Sequence, residues 1–425
     1  MKNGHKNHRL RLKRLGIDTY QEPVIYMRAD CPVCRSEGFE ARSRVLVRNG
    51  DSSIIATLNV IHDHLLGPEQ AGLSEAAWRL LGAKEGDIVH LSHPPPIESL
   101  SHVRAKVYGK RLGDEALRAI IQDVVAGRYS DVELASFITA CAAGRLDHQE
   151  VVALTRAMVE TGERLDWGKT PVVDKHCVGG LPGNRTTLLV VPIVAAFGLL
   201  IPKTSSRAIT SPAGTADTMA TLAPVELPLS KIQKVVEQEG GCIAWGGTAR
   251  LSPADDVLIR VEKPLDLDSE GQLVASVLSK KVAAGSTHVV LDIPVGPTAK
   301  VRSPEAAQSL SASLEATAKS VGLSVRTIIT DGSAPVGRGI GPALEARDAL
   351  AVLRQASNAP QDLRSRSLLL AGAVLELSGK VKAGLGERTA EEILASGKAL
   401  SKFEAICRAQ GGLHEPPKAR HTHSV

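Results

Sequence analysis

Residues 174–187 read Asp-Lys-His-Cys-Val-Gly-Gly-Leu-Pro-Gly-Asn-Arg-Thr-Thr and lead from a short apolar strand, 171–173, into a strongly hydrophobic helix. That layout suits an anion. Gly179, Gly180 and Gly183 allow a tight turn and a close backbone approach, and the N–H groups that open the next helix favour negative charge. Lys175 adds a mobile cation, and Thr186 and Thr187 add hydroxyls. A second run, 203–217, reads Lys-Thr-Ser-Ser-Arg-Ala-Ile-Thr-Ser-Pro-Ala-Gly-Thr-Ala-Asp and again lies between an apolar segment and a helical pattern. Ser205, Ser206, Thr210, Ser211 and Thr215 cluster there with Lys203 and Arg207, with no acid before Asp217. Taken singly, the first run is also a common strand-to-helix turn and the second a solvated loop; together they read as two walls of a phosphate pocket.

The elements around these runs follow from periodicity. Between 8 and 93 the chain alternates and favours β structure at 24–27, 43–47, 54–60 and 88–91, with a short helix at 74–81. Pro94, Pro95 and Pro96 then make a stiff linker. Asp114, Ser130 with Glu133, and Asp147 with Glu150 each mark a helix start, followed by apolar residues at helical spacing, which predicts a small antiparallel helical bundle. From 172 onward strands at 172, 243–245, 288–293 and 325–330 alternate with helices such as 305–321 and 342–354, the pattern of a largely parallel sheet with ligands at the carboxyl ends of its strands. The expected architecture is therefore multidomain α/β, with a small N-terminal β-rich module (1–97), a helical domain (98–166 with 253–285), an α/β domain in two parts (167–252 and 286–412) and a tail (413–425).

Composition narrows the function classes. The chain has 425 residues, 43% hydrophobic and 23% charged, enough for two or three soluble domains. Aromatics at 3% argue against a base-stacking nucleic-acid surface. Much of the net charge of +5 lies in Lys2, Lys6, Arg9, Arg11, Lys13 and Arg14, which reads as a solvated end with no apolar core behind it and hence no secretory signal. The apolar run 188–201 is broken by Pro192 and Gly198 and is too short for a membrane span, so it predicts a buried helix. Six scattered cysteines without an export signal suggest a reducing cytoplasm. The Cys31-Pro-Val-Cys34 pair would hold zinc only with two further ligands, for which His62 and His64 are the candidates; the overall expectation is no metal and no cofactor.

The two runs resemble the thymidine and pyrimidine-nucleoside phosphorylase family. The Asp-Lys-His-x-x-Gly-Gly loop is similar to the whole family, and the 203–217 run is similar to its AMP phosphorylase branch. Gly-Gly-Cys-Ile-Ala-Trp-Gly-Gly (240–247), Leu-Ser-Pro-Ala-Asp-Asp (251–256), Ala-Ser-Val-Leu-Ser-Lys-Lys (275–281) and Gly-Arg-Gly-Ile-Gly-Pro-Ala-Leu-Glu (337–345) extend the resemblance along nearly the whole chain. It implies phosphorolysis of an N-glycosidic bond, with inorganic phosphate as co-substrate and free base and a pentose 1-phosphate as products. It also implies a homodimer or higher homo-oligomer, in the cytoplasm, with no nucleic-acid or membrane partner.

Carried over by residue, the resemblance implies phosphate contacts at Lys175, Gly180, Thr187, Ser205 and Thr215. It implies substrate contacts at Ser206, Arg207, Ala208, Ile209, Thr210, Ser211, Ser276 and Lys300. His176, Ser276 and Lys280 match base-recognising positions, and Asp268 matches a proton donor. Cys177 stands where the thymidine enzymes have serine, and their arginine position falls near Val261 or Glu262, with Arg260 displaced. The family usually continues past 412 into another β-rich segment, which this sequence lacks. Three alternatives stay open: a nucleoside 5′-monophosphate phosphorylase giving ribose 1,5-bisphosphate, an anthranilate-type phosphoribosyltransferase, and a non-catalytic nucleotide-binding protein.

Overall fold

The computed structural model describes residues 9–179, 185–208, 213–249, 251–267 and 269–418. The described chain divides into two compact units. One runs to Ser101 and takes in Ala126–Leu134; the other comprises His102–Val125 and the described chain from Ala135 onward.

The first unit contains β1 (Arg9–Arg14), β2 (Val24–Arg28), α1 (Pro32–Glu37), β3 (Arg44–Asn49), β4 (Ser52–Ile61), β5 (Gln70–Leu73), α2 (Glu75–Leu81) and β6 (Ile88–Ser92). Its six strands close into a barrel in the order β1-β5-β2-β4-β3-β6, so no strand edge is left unpaired. Residues 9–14 are not the solvated end expected from their charge. Leu10 and Leu12 point inward, 2% and 1% exposed, while Arg9 and Arg11 point out, and this alternation makes the segment a barrel strand. The C-x-x-C pair opens α1: the Cys34 N–H donates to the Cys31 sulfur at 3.2 Å, so Cys31 caps the helix.

The chain continues with α3 (Leu100–Val107), α4 (Asp114–Val125), α5 (Asp131–Cys141) and α6 (His148–Glu160). At the head of α6, Asp147 and Glu150 form the reciprocal capping box that the sequence signals. Glu150 has a second use. Its carboxylate, buried with Lys106, accepts from the Lys106 ammonium at 2.6 Å and from the Leu112 N–H at 2.8 Å.

Next come β7 (Val173–Cys177), α7 (Thr187–Phe197), β8 (Ile201–Ser205), α8 (Thr215–Ala220), α9 (Leu229–Glu239) and β9 (Gly241–Trp245). Two helices, α10 (Pro253–Leu265) and α11 (Glu270–Ala283), then return to the first helices, α10 packing on α4 and α11 on α6. The chain ends in β10 (His288–Val295), α12 (Pro304–Ser320), β11 (Ser324–Asp331), α13 (Pro342–Leu353), α14 (Gln361–Leu377), α15 (Gly386–Ala395) and α16 (Lys398–Gln410).

β11, β10 and β7 form one parallel sheet and β8 and β9 another, joined by a parallel bridge between Val172 and Leu200. The spatial order is thus β11-β10-β7-β8-β9. The chain leaves β7 toward β8 and later fills the other side with β10. β7 and β10 therefore flank the switch point, where an open parallel sheet presents a crevice at its carboxyl ends. The 188–201 run behaves as expected: α7 is buried almost all round, Gly198 ends it in a left-handed conformation (φ 102°), and β8 begins at Ile201. Among the described residues no helix is long and apolar enough to cross a membrane.

If residues 9–14 are a barrel strand, Leu12→Ala should cost about 2–5 kcal/mol, read as a lower denaturation midpoint, while Arg11→Ala should leave the midpoint nearly unchanged. Equal, negligible effects would return the segment to the solvent.

Candidate functional site

Lys175 and His176 sit at the carboxyl end of β7, where the first glycine-rich run leaves the sheet. Gly179 adopts φ +97°, a conformation that L side chains avoid, and so directs the chain out of the strand. The Val178 N–H donates to the Asp292 carbonyl at 2.9 Å and the Lys300 N–H to the Gly179 carbonyl at 3.4 Å, which ties the loop to β10 and the segment after it. Lys300 is thereby placed beside the crevice at the switch point.

Below the loop lies an unusual concentration of buried charge. Lys175, Lys203 and Lys281 are each no more than 4% exposed, and the fully buried carboxylate of Asp174 stands among them. Asp174 accepts from the Lys281 ammonium at 2.6 Å and from the Lys175 backbone N–H at 2.7 Å, and lies 3.8 Å from the Lys203 ammonium. Lys175 donates to the Thr186 hydroxyl at 2.8 Å, and Lys203 to the Thr204 carbonyl at 2.7 Å. Burial first, and then the charges of Lys281 and Lys175, hold Lys203 well below the ordinary lysine range, although Asp174 pulls the other way. His176 is held well below the ordinary imidazole range by loss of hydration and then by Lys281, Lys203, Lys280 and Lys175, so it is neutral near pH 7.

The second run supplies the facing wall. Ser205 ends β8, and its buried hydroxyl has no hydrogen-bond partner among the described residues. Such a group is costly unless something else satisfies it. Thr187 opens α7 and Thr215 opens α8, both largely buried. Asp217 fastens the loop by accepting from the Ala208 N–H at 2.7 Å and the Gly214 N–H at 3.0 Å. At Gly214 a Cβ would come within 2.5 Å of the Arg207 carbonyl carbon, so no larger residue fits. Arg207 is held by Asp217 at 3.0 Å and Glu226 at 2.6 Å, over the Trp245 ring.

A third group lies on α10 and α11. Lys280 donates to Asp255 at 2.7 Å and to Ser276, one turn earlier on its own helix, at 3.2 Å. Ser252 and Ser279 bridge the same two helices at 3.3 Å. Cys177 does not replace the expected serine hydroxyl with a reactive thiolate. Burial, and then the charge of Asp292, push its thiol up to about 12.

The structure thus brings Lys175, His176, Ser205, Thr215, Thr187 and Lys300 to the carboxyl ends of the strands, with Ser276 and Lys280 on α11, and places Ser206, Arg207 and Ala208 in the second loop. Gly180, Ile209, Thr210, Ser211 and Asp268 lie outside the described residues. Residue type alone does not single out Lys281, Asp255 or Arg185. Arg185 is fully buried, pairs with Asp348 and donates to the Gly339 carbonyl. The one signal in the sequence is a lysine or arginine next to an apolar run, as in Lys281-Val-Ala, which only burial distinguishes from an amphipathic surface lysine.

Residues 169–400 match the glycosyl transferase family, a/b domain, and residues 101–162 match the glycosyl transferase family, helical bundle domain. The chain is 67% identical over 418 residues to a protein of Polaromonas sp. named "Putative thymidine phosphorylase", covering 98% of this chain and 82% of that one. It is 63% identical to a protein of the same name from Legionella pneumophila strain Corby, covering 98% and 81%. Among solved structures, anthranilate phosphoribosyltransferase from Thermus thermophilus shares the fold, with a TM-score of 0.60 at 22% identity over 72% of this chain and 98% of that one.

Asp174→Asn should be strongly destabilising, by about 3–5 kcal/mol, because it leaves buried lysines without their counter-ion. Inorganic phosphate should restore part of the lost thermal midpoint. Phosphate affinity, corrected for the ionisation of phosphate itself, should weaken as pH rises through the lowered pKa of Lys203, since only its charged form attracts an anion. Calorimetric titration with phosphate across the pH range in which the protein stays folded tests this, and a corrected affinity that stays flat or strengthens would contradict it.

Proposed function

Because the chain belongs to the glycosyl transferase family, among its thymidine and pyrimidine-nucleoside phosphorylases, we propose that it catalyses phosphorolysis of the N-glycosidic bond of a nucleoside. The observation that carries this reading is the excess of buried positive charge at the switch point. The buried ammonium groups of Lys203 and Lys281 face the one carboxylate of Asp174, and buried Lys175 is its neighbour on β7, an arrangement suited to a phosphate dianion.

In this reading phosphate is the co-substrate, and no further cofactor takes part. Lys175, Thr187, Ser205 and Thr215 hold it under the sugar. A phosphate oxygen bonds to C1′ as the C1′–N bond breaks, and the electron pair of that bond leaves with the base. Phosphate is already nucleophilic, so positioning and charge stabilisation make up most of the catalytic task. The base is met by the neutral imidazole of His176, by Ser276 and by the Lys280 ammonium, an array that offers donors to carbonyl oxygens and an acceptor to a ring N–H. That suits the carbonyl, N–H, carbonyl edge of a 5-methyluracil or uracil. Asp268 is assigned the proton donor by resemblance. A nucleoside 5′-monophosphate would bring a second phosphate into the 206–211 loop, and the commitment of Arg207 to Asp217 and Glu226 favours the uncharged nucleoside. The lysine-rich lining likewise favours free phosphate over the Mg²⁺-bound pyrophosphate donor of a phosphoribosyltransferase.

The deciding measurement is release of free base from thymidine, uridine, AMP, CMP and UMP with and without inorganic phosphate. Phosphate-dependent release from thymidine or uridine is expected, and absence of release from every substrate by the folded protein would refute the reading. Lys175→Ala should raise the Michaelis constant for phosphate about tenfold or more. Asp268→Asn should lower turnover by roughly 10²–10⁴ with little change in that constant. Retained turnover in the asparagine variant would move the proton donor elsewhere.

A further inference from the structure

Lys280 stands apart from the other three lysines of the cluster. It is a quarter exposed, projects from α11, and has a carboxylate of its own on a different helix. That carboxylate, Asp255, is almost fully buried at the start of α10 and lies 2.7 Å from the Lys280 ammonium. A buried carboxylate of this kind is costly to keep unless it is paired. The second partner of Lys280 is the Ser276 hydroxyl at 3.2 Å. An ammonium has three N–H donors in fixed tetrahedral directions. With two of them anchored, the third has a single direction. The charge of Lys280 also acts on His176, so the ammonium and the imidazole share one neighbourhood.

We propose that Asp255 is a positioning residue for departure of the base: by anchoring Lys280 together with Ser276, it aims one N–H at the carbonyl oxygen where negative charge collects as the C1′–N bond breaks. The proposal rests on the phosphorolysis reading. In that reaction the bonding electron pair moves into the base, whose ring delocalises it onto its carbonyl oxygens, and the base later takes up a proton from the site's acid. A fixed ammonium near such an oxygen interacts more strongly with the leaving anion than with the bound nucleoside, and only that difference accelerates the step. An unanchored Lys280 would swing among several positions and contribute to binding without that selectivity. Phosphate is held by other residues on other elements, so Asp255 acts on one half of the reaction only.

The test compares the native protein with Asp255→Asn, Asp255→Glu, Lys280→Met and the double variant Asp255→Asn/Lys280→Met. Each is assayed on 2′-deoxyuridine and 5-fluoro-2′-deoxyuridine, whose fluorinated base leaves more easily. Asp255→Asn should lower turnover of deoxyuridine roughly 10- to 100-fold, lower that of the fluorinated substrate distinctly less, and leave the Michaelis constant for phosphate within about twofold. Asp255→Glu should recover part of the loss. The double variant should match Lys280→Met, because Asp255 has nothing to aim once the ammonium is gone. That comparison carries the test if the asparagine variant alone does not fold, since the double variant buries no unpaired charge. Equal losses on the two substrates, a phosphate constant that rises in step, or losses that multiply in the double variant would each overturn the proposal while leaving phosphorolysis standing. A native protein that releases no base from either substrate in phosphate would overturn both.

Discussion

The buried carboxylate of Asp174 is the contact on which the rest of the site depends. It lies on β7, fully enclosed, and is the nearest anion to Lys281 and Lys203, while its neighbour in sequence, Lys175, donates a backbone N–H to it. Without that carboxylate Lys203 and Lys281 would be buried with their counter-ion on β7 removed, and buried charges left unpaired in this way are strongly destabilising. With it, two ammonium groups face one carboxylate. The fold thus tolerates a local imbalance that no core-packing argument would favour. Such imbalance is stable only if the surrounding structure is firm and if something else completes the charge.

Firmness comes from a further layer of polar contacts around the first loop and α8. Arg185, at the far end of the glycine run, pairs with Asp348, and Asp348 also accepts from the Arg338 and Gly339 N–H groups at 2.7 and 2.8 Å. Asp362 accepts from the Gly337 N–H at 2.7 Å, and Glu345 accepts from the Thr218 hydroxyl at 3.3 Å. The 337–345 motif is therefore a clamp. It fixes the base of α8 and the residue just before Thr186, so that the hydroxyls opening α7 and α8 hold their places. Asp217 in turn ties Ala208 to Gly214 by accepting from both N–H groups. Ligand-facing groups thus sit on a frame whose own hydrogen bonds are already made, which is what preorganisation requires.

The parts of this arrangement that are legible in the sequence are those carried by local rules. Glycine spacing, helix starts and the alternation of strand and helix locate both loop runs and the parallel sheet, because backbone turns and caps act over a few residues. Asp147 with Glu150 is an example, since its capping box needs nothing beyond three residues of separation. What stays hidden depends on contacts between residues far apart in the chain. Lys281 looks like any lysine at the end of a helix until its partner, 107 positions earlier, is seen beneath it. The pairing of Asp255 with Lys280, on separate helices, likewise stays hidden until α10 and α11 are packed, although Lys280 itself carries part of the family resemblance. The basic stretch 9–14 misleads for a related reason: its charges at alternate positions dominate the pattern, while the two leucines between them are buried only because the barrel closes.

The electrostatics of the buried lysines also reach the imidazole beside them. His176 follows Lys175 directly along β7, and four lysines act on its imidazole. Any anion seated on those lysines offsets their field at the ring, since potentials add and the interior screens weakly. In the proposed phosphorolysis, phosphate seated on those lysines would make the imidazole a better hydrogen-bond acceptor for the base, so that phosphate and base would favour each other's binding through His176, and by linkage in both directions.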